Sequence, residues 1–518
     1  MNKRKIFSIV VAMFMAFATF VVPVSAADTY SAKLYGKITD AGQVVSKMVI
    51  DYGSDKTVSG IDKDTYTVHA TNTIQAGANA GNTYYDVDRT IVKVEVSGSE
   101  VTVYFDETEG ATLTYLSEAR NYPGKLEYTI TQQKAINATA LDGRVLADIN
   151  ATYTCDNSVD DEETKNFTSV TGSNGINYQL HKGTNDKLIV WFHGNGEGDL
   201  DNSGNNVAQM LANRGTVAWT TDEAKAVFGD ATVMSFQAPD TWYYAQTNNY
   251  LEKAYNEINE VIAQNNIDKN KVIVSGCSAG GYMTTRMIIK YPSLFASAMI
   301  NCPALSVATA RGGETPTDAE LESIKNSKTA IWLVQGVTDS SVKREDCSQR
   351  LFDILTKGQT LTTTKVDQPI ASDYTTYETS DNKYKLSLYE TVDQEDKVDS
   401  LGETRKQGKL QFAEDYDQDG VETLVKYSDH WSWIYTLRNN PTSANGTHIW
   451  NWAVSFAKTE NNTVVPNENA SNNTTTGSSL EKVKSAKTGD DVSTILYGML
   501  LVISGSSYIV LKRRKENI

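Results

Sequence analysis

A run of branched residues, Val272-Ile273-Val274, leads through Ser275 into Gly276-Cys277-Ser278-Ala279-Gly280-Gly281, and a helical stretch from Tyr282 to Lys290 follows at once. A strand that turns this abruptly into a helix needs small residues at the turn. Glycine at 276 and 280 lets the two elements close on each other while the Ser278 hydroxyl stands clear. The flanking sequence has the same texture. Leu188 to Phe192, Val233 to Phe236, Ala298 to Ile300 and Ala330 to Val334 are short apolar strands, and Leu251 to Asn265 sets Ala254, Ile258 and Ile262 on one helix face. Apolar strands alternating with helices predict an α/β fold: a largely parallel sheet covered on both sides.

A serine in such a turn is a weak nucleophile until a base takes its proton. The chain has five histidines. His69 falls in an alternating strand, where a structural role is the ordinary one. His181 precedes the first core strand, and His193 belongs to a glycine-bracketed loop. His430, in Tyr427-Ser428-Asp429-His430-Trp431-Ser432-Trp433, sits in a loop after an apolar stretch and is the expected base; His448 begins the closing helix and is expected to pack or cap. The imidazole needs a carboxylate to orient it, and Asp339 leaves the C-terminal end of the Ile331-Trp332-Leu333-Val334 strand in Gln335-Gly336-Val337-Thr338-Asp339. Capping of the next helix is the other role open to Asp339. Two backbone N–H groups are needed for an oxyanion; Ala279 supplies one, and Asn195 or Gly196, in Trp191-Phe192-His193-Gly194-Asn195-Gly196-Glu197, the other. His193 would brace that loop. A phosphate-binding role for it lacks the Lys-Ser/Thr pair that should follow. Cys277 is a buried neighbour of Ser278, with a thiol nucleophile as the minor alternative. Trp242, Met283 and Trp431 are candidate walls of a substrate pocket, with plain core packing as the alternative.

From about Tyr178 to Lys458 these motifs, with Gln237-Ala238-Pro239 and His430-Trp431-Ser432-Trp433, resemble the α/β-hydrolases of the esterase, polyhydroxybutyrate-depolymerase and prolyl-oligopeptidase-like group. The resemblance implies hydrolysis of esters, or less often peptides, through an acyl-enzyme with no cofactor. The order Ser278, Asp339, His430 is the order this fold uses. The polar segment from Lys357 to Val425 departs from the pattern and is expected to form a lid or rim. Within it Asp415, Asp417 and Asp419 are spaced as in a calcium loop, but Lys426 stands where the bidentate glutamate would be, so a solvated acidic turn is the favoured reading.

Ahead of this domain the texture is all β. Lys47 to Ile50, Tyr66 to His69, Ile91 to Val96 and Val101 to Phe105 alternate with period two, and Ser97-Gly98-Ser99 joins the last two as a hairpin. This predicts a β-sandwich, and it is similar to the immunoglobulin-like domain that precedes the catalytic domain in some secreted bacterial esterases of the same group.

The ends carry their own signals. Lys3, Arg4 and Lys5, the apolar run Ile6 to Val22 and small residues up to Ala26 predict a secretory signal peptide, and hence an extracellular protein. Val492 to Leu511 is long enough to cross a bilayer and is followed by Lys512, Arg513, Arg514 and Lys515, which stay inside. Before it, Ser485-Ala486-Lys487-Thr488-Gly489-Asp490 resembles the sorting signal cut by sortase in Gram-positive bacteria, with Ser485-Ala486 replacing the usual Leu-Pro. Attachment to the cell wall through Thr488 is expected, with a simple membrane anchor as the alternative. The expected division is therefore a signal peptide at 1–26, a sandwich at 28–155, a catalytic domain at 165–458, an Asn/Thr/Ser-rich stalk at 459–484 and a sorting tail at 485–518. A net charge of −16 argues against nucleic acid as a partner. Four cysteines are too few for a disulfide framework and lack metal-ligand spacing. The partner expected is an ester substrate, free or polymer-linked; a surface peptidase and an inert adhesin or carbohydrate-binding protein are the alternatives.

Overall fold

The computed structural model describes residues 28–458 except 78, 110–113, 118–119, 200–202, 369–371, 391–396, 399–403 and 406–427. The expected signal peptide, stalk and sorting tail, with Thr488, and the acidic triplet Asp415, Asp417 and Asp419 lie outside the described residues. Among the described residues no helix is long and apolar enough to cross a membrane.

The N-terminal part is built of strands. A five-stranded sheet contains Thr29–Thr39, Gly42–Asp51, Ile91–Ser97, Glu100–Phe105 and Thr152–Asp160, and a four-stranded sheet contains Tyr66–Ile74, Thr83–Asp88, Thr114–Ser117 and Arg120–Gln132. Period-two alternation explains the packing: Tyr66, Val68 and Ala70 point inward to a core shared with Leu34, Met48, Ile50, Val101, Val103 and Phe105, while His69 faces out between Asp86 and Asp88. The hairpin at Ser97 is present, with Gly98 at φ +64°.

The second part is a ten-stranded mixed sheet. Its order is Thr168–Val170, Tyr178–His181, Thr232–Phe236, Leu188–Phe192, Val272–Cys277, Ser297–Asn301, Ala330–Gly336, Tyr384–Tyr389, Tyr374–Thr379 and Leu361–Val366. The six strands from Thr232–Phe236 to Tyr384–Tyr389 run parallel. Both faces are covered. Leu188, Val190 and Phe192 pack on the side of the Tyr250–Gln264 and Ala279–Lys290 helices, while Ile189 and Trp191 pack on the side of the Asp222–Phe228 and Ile449–Phe456 helices. From Leu188–Phe192 the chain crosses to Thr232–Phe236 on one side and then to Val272–Cys277 on the other. The carboxyl ends of Leu188–Phe192 and Val272–Cys277 therefore flank a topological switch point, the place where open α/β sheets form their crevices.

The segment from Lys357 does not begin as a lid. Residues 361–389 extend the sheet with three strands, joined through one parallel and two antiparallel pairings. Their polar appearance has a physical cause. Leu361–Val366 is a threonine-rich edge strand half open to solvent, and Lys385 is buried because it pairs with Glu378 and lies 4.9 Å from the Trp332 ring. Trp242 and Met283 are both fully buried in the core under the sheet.

The turn between the first two sandwich strands reaches the second part of the chain. Ile38 packs with Met210 and Val217, its carbonyl accepts from Arg214 at 2.7 Å, its N–H donates to Glu163 at 3.0 Å, and Asp40 pairs with Arg438.

Candidate active site

Ser278 follows the Val272–Cys277 strand and precedes the Ala279–Lys290 helix with φ +55° and ψ −116°, a region that side-chain-bearing residues rarely occupy. What holds it there is close packing on both sides. A methyl group on Gly276 would come within 2.6 Å of the Gly280 carbonyl oxygen, and one on Gly280 within 2.0 Å of the Phe192 carbonyl oxygen. The Ser278 N–H donates to the Asn301 carbonyl at 3.0 Å, and the Ser278 carbonyl accepts from Ala304 and Tyr282.

His430 and Asp339 meet Ser278 from two other loops. The Ser278 hydroxyl lies 3.0 Å from His430 Nε2, and His430 Nδ1 lies 2.8 Å from Asp339 Oδ2. Asp339 is locked in turn. Its Oδ1 accepts from the Ser341 and Val342 N–H groups, both at 2.9 Å, and its Oδ2 also accepts from Gln335 Nε2 at 3.2 Å. The His430 loop is pressed on the same sheet edge: a methyl group on Gly336 would lie 2.5 Å from the Asp429 carbonyl oxygen, Ser432 donates to the Val334 carbonyl at 3.3 Å, and the Cys302 thiol contacts the His430 carbonyl at 3.2 Å. Thr436 donates to Asn301, whose amide also reaches the Gly276 carbonyl, so one buried side chain joins the serine turn to the segment after His430. Burial pushes the imidazole of His430 down, but the neighbouring Asp339 carboxylate and the Cys302 sulfur together more than offset this and set it well above the ordinary histidine value.

The Asn195–Glu197 turn begins where the Leu188–Phe192 strand ends, beside the serine turn. A methyl group on Gly194 would be 3.9 Å from Ser278 Cβ and 3.6 Å from Cys277 Sγ. Ala279 opens its helix, so its N–H has no partner within that helix. His193 braces this loop: the Ala238 N–H donates to its Nε2 at 2.9 Å, which leaves the proton on Nδ1 facing the Gly194 carbonyl. Asn195 Oδ1 accepts from Thr241 at 2.6 Å. Cys277 is wholly buried and burial raises its thiol well above the ordinary range, so it is not poised as a thiolate. Trp431 is half-buried, 5.9 Å ring to ring from Trp433. His448 precedes the last helix and its Nδ1 lies 2.7 Å from the Asn439 carbonyl oxygen. The donor atoms of Cys302, Asp339 and His430 lie within 4.8 Å of one another, a spacing a metal ion could bridge, but Asp339 and His430 already engage each other there. All four cysteines are free.

Sequence reasoning passed over Gln335, Asn301 and Thr241, each of which secures a site loop, and quoted Glu197 without giving it a part. Gln335 and Glu197 stand inside the two loop motifs, and that adjacency was the available signal.

Residues 239–369 match the family model described as the prolyl oligopeptidase family, and residues 31–147 match that of the esterase Ig-like N-terminal domain. A comparison with curated proteins gave no match. Among solved structures, a thermostable esterase is 22% identical, with a TM-score of 0.54, over 79% of this chain and 96% of its own. An acetyl xylan esterase from Aspergillus awamori is 15% identical, with a TM-score of 0.31, over 43% of this chain and 92% of its own. A thermophilic esterase from Thermogutta terrifontis is 14% identical, with a TM-score of 0.30, over 44% of this chain and 84% of its own. The fold is that of an α/β-hydrolase domain behind an immunoglobulin-like domain of the esterase type.

Proposed function

From an α/β-hydrolase domain with three convergent loops at its switch point, we propose that this chain is a serine hydrolase that cleaves carboxylic esters through an acyl-enzyme. The observation that carries the proposal is the unbroken contact line from the Ser278 hydroxyl through the His430 ring to the Asp339 carboxylate, at 3.0 and 2.8 Å. His430 Nε2 takes the hydroxyl proton as Ser278 Oγ bonds to the ester carbonyl carbon. The N–H groups of Ala279 and of Asn195 or Gly196 receive the developing oxyanion. Collapse of the intermediate expels the alcohol, which leaves with the proton from His430, and the acyl group remains on Ser278. Water then repeats the sequence with His430 as base, and releases the acid. Asp339 holds the ring in the tautomer with Nδ1 protonated and stabilises its charged form.

Ester preference is supported by the esterase-type sandwich at 31–147, whereas the prolyl oligopeptidase match at 239–369 supports peptide amides as the second reading. Assaying p-nitrophenyl acetate and butyrate beside proline-containing peptide anilides decides between them. For an esterase, kcat/KM on the esters should exceed that on the anilides by about 10³-fold or more; equal or reversed values would transfer the chain to the peptidases. An inert adhesin would need some other reason to keep this contact line.

The basic and apolar N-terminus and the apolar C-terminus with its basic tail support secretion and attachment at the cell surface. Fractionation of an expressing Gram-positive cell should place the protein in the wall, and Thr488→Ala should move it to the membrane; recovery of the protein from the cytosol would refute this.

A further inference from the structure

The sandwich touches the catalytic loops at a point that neither a spacer nor a pocket wall requires. Asn121, on the Arg120–Gln132 strand, donates from Nδ2 to Glu197 Oε1 at 3.2 Å. Glu197 closes the Asn195–Glu197 turn and is buried, with 7% of its surface exposed. The same Oε1 receives the Asn213 amide at 3.4 Å, and Asn213 Oδ1 in turn accepts the Gly215 N–H at 2.8 Å. The Glu197 carbonyl accepts from Gln237 at 3.0 Å. Its other carboxylate oxygen points back under the loop, 3.6 Å from His193 Nδ1 and 3.2 Å from where a methyl group on Gly194 would lie. Carboxylate and backbone of this one residue thus fix the turn from below, and one of the donors that hold the carboxylate comes from the other domain.

We propose that Asn121 is a positioning residue for the reaction, and that the sandwich domain serves the hydrolase by holding the oxyanion loop through the Asn121–Glu197 hydrogen bond. The inference rests on the serine-hydrolase reading for its catalytic consequence, but not for its structural one. Hydrogen bonds to a buried carboxylate are the strong kind, and a loop that must hold an N–H within a few tenths of an ångström of the developing oxyanion is sensitive to losing one. Replacing the amide by a carboxylate at this distance sets two like charges against each other and pushes Glu197 away.

The test uses the full chain with Asn121→Asp and Asn121→Ala, and with Glu163→Gln as a variant that weakens a different contact between the domains. Three quantities are read: amide hydrogen exchange of the peptide 191–197, kcat and KM on p-nitrophenyl acetate, and Tm. For Asn121→Asp we expect loop exchange to rise about tenfold and kcat to fall about tenfold or more, with KM changed less than about threefold, because ground-state binding is untouched. Asn121→Ala should show the same pattern at about threefold, and Glu163→Gln should lower Tm with loop exchange and kcat within about twofold of the parent. Loop exchange in Asn121→Asp within about twofold of the parent would overturn the inference, as would an equal rise in Glu163→Gln. If instead the unmodified chain fails to label at Ser278 with a fluorophosphonate, the hydrolase reading falls, while the exchange measurement still decides whether the sandwich holds the loop.

Discussion

Ser278→Ala is expected to lower kcat on short acyl esters by about 10⁵- to 10⁶-fold and to abolish labelling by a fluorophosphonate, with the fold retained. The magnitude follows from how the three side chains depend on one another. Without the hydroxyl, His430 has no proton to take, and Asp339 orients a ring with nothing to activate. The losses therefore do not add: a Ser278→Ala, His430→Ala double variant should be no slower than either single one within about threefold. Rates should stay about 10³-fold above the uncatalysed reaction, because the Ala279 and Asn195–Gly196 backbone donors remain. Unchanged labelling of Ser278→Ala would move the nucleophile elsewhere.

Asp339→Asn should lower kcat by about 10⁴-fold and also displace the pH profile. An asparagine amide in place of the carboxylate favours the wrong tautomer of His430, leaving Nε2 protonated and unable to accept from Ser278. The sign of the pH effect follows from what sets the imidazole. Burial pulls it down, while Asp339 and the Cys302 sulfur together pull it up by more, so its net displacement is upward from the ordinary value. The base must be neutral to work, so kcat/KM of the parent should fall as pH drops through that raised value, above about 6.5. Removing the carboxylate takes away the largest upward pull and leaves burial opposed only by Cys302, so the acid limb of the residual activity should move to lower pH. A pH–rate profile of parent and variant checks both points; an unmoved limb would show that Asp339 does not control His430.

The parts of this molecule that could be read from the sequence are those whose physics is local. The strand-to-helix turn at Ser278 announces itself because glycines at 276 and 280 are needed within a few residues of one another, and the close approach of Gly280 to the Phe192 carbonyl shows why. The loops of Asp339 and His430 could be placed because each follows apolar sequence at the end of a strand or ahead of a helix. The last strands were hidden because their polar residues are satisfied by partners on neighbouring strands: Lys385 reads as solvated until Glu378, opposite it on the next strand, and Trp332 are seen around it. The surroundings of Trp242 and Met283 were not legible, because an aromatic or Met near an apolar strand looks the same in sequence whether it faces a cleft or the core. The contact between Asn121 and Glu197 spans 76 residues and two domains, and no pattern in either neighbourhood foretells it.

The separation of the reacting groups has a bearing on when the chain becomes competent. Ser278 and His430 are 152 residues apart, and Asp339 lies 91 residues before His430. Ser278 and Asp339 leave the ends of two different strands of a parallel sheet and His430 comes from beyond its last strand, so long loops must close before the three can meet, and such closures are slow. Until that closure is complete the chain carries a serine hydroxyl without the imidazole beside it, and on the proposed reading a half-folded or nascent molecule would have no activated nucleophile.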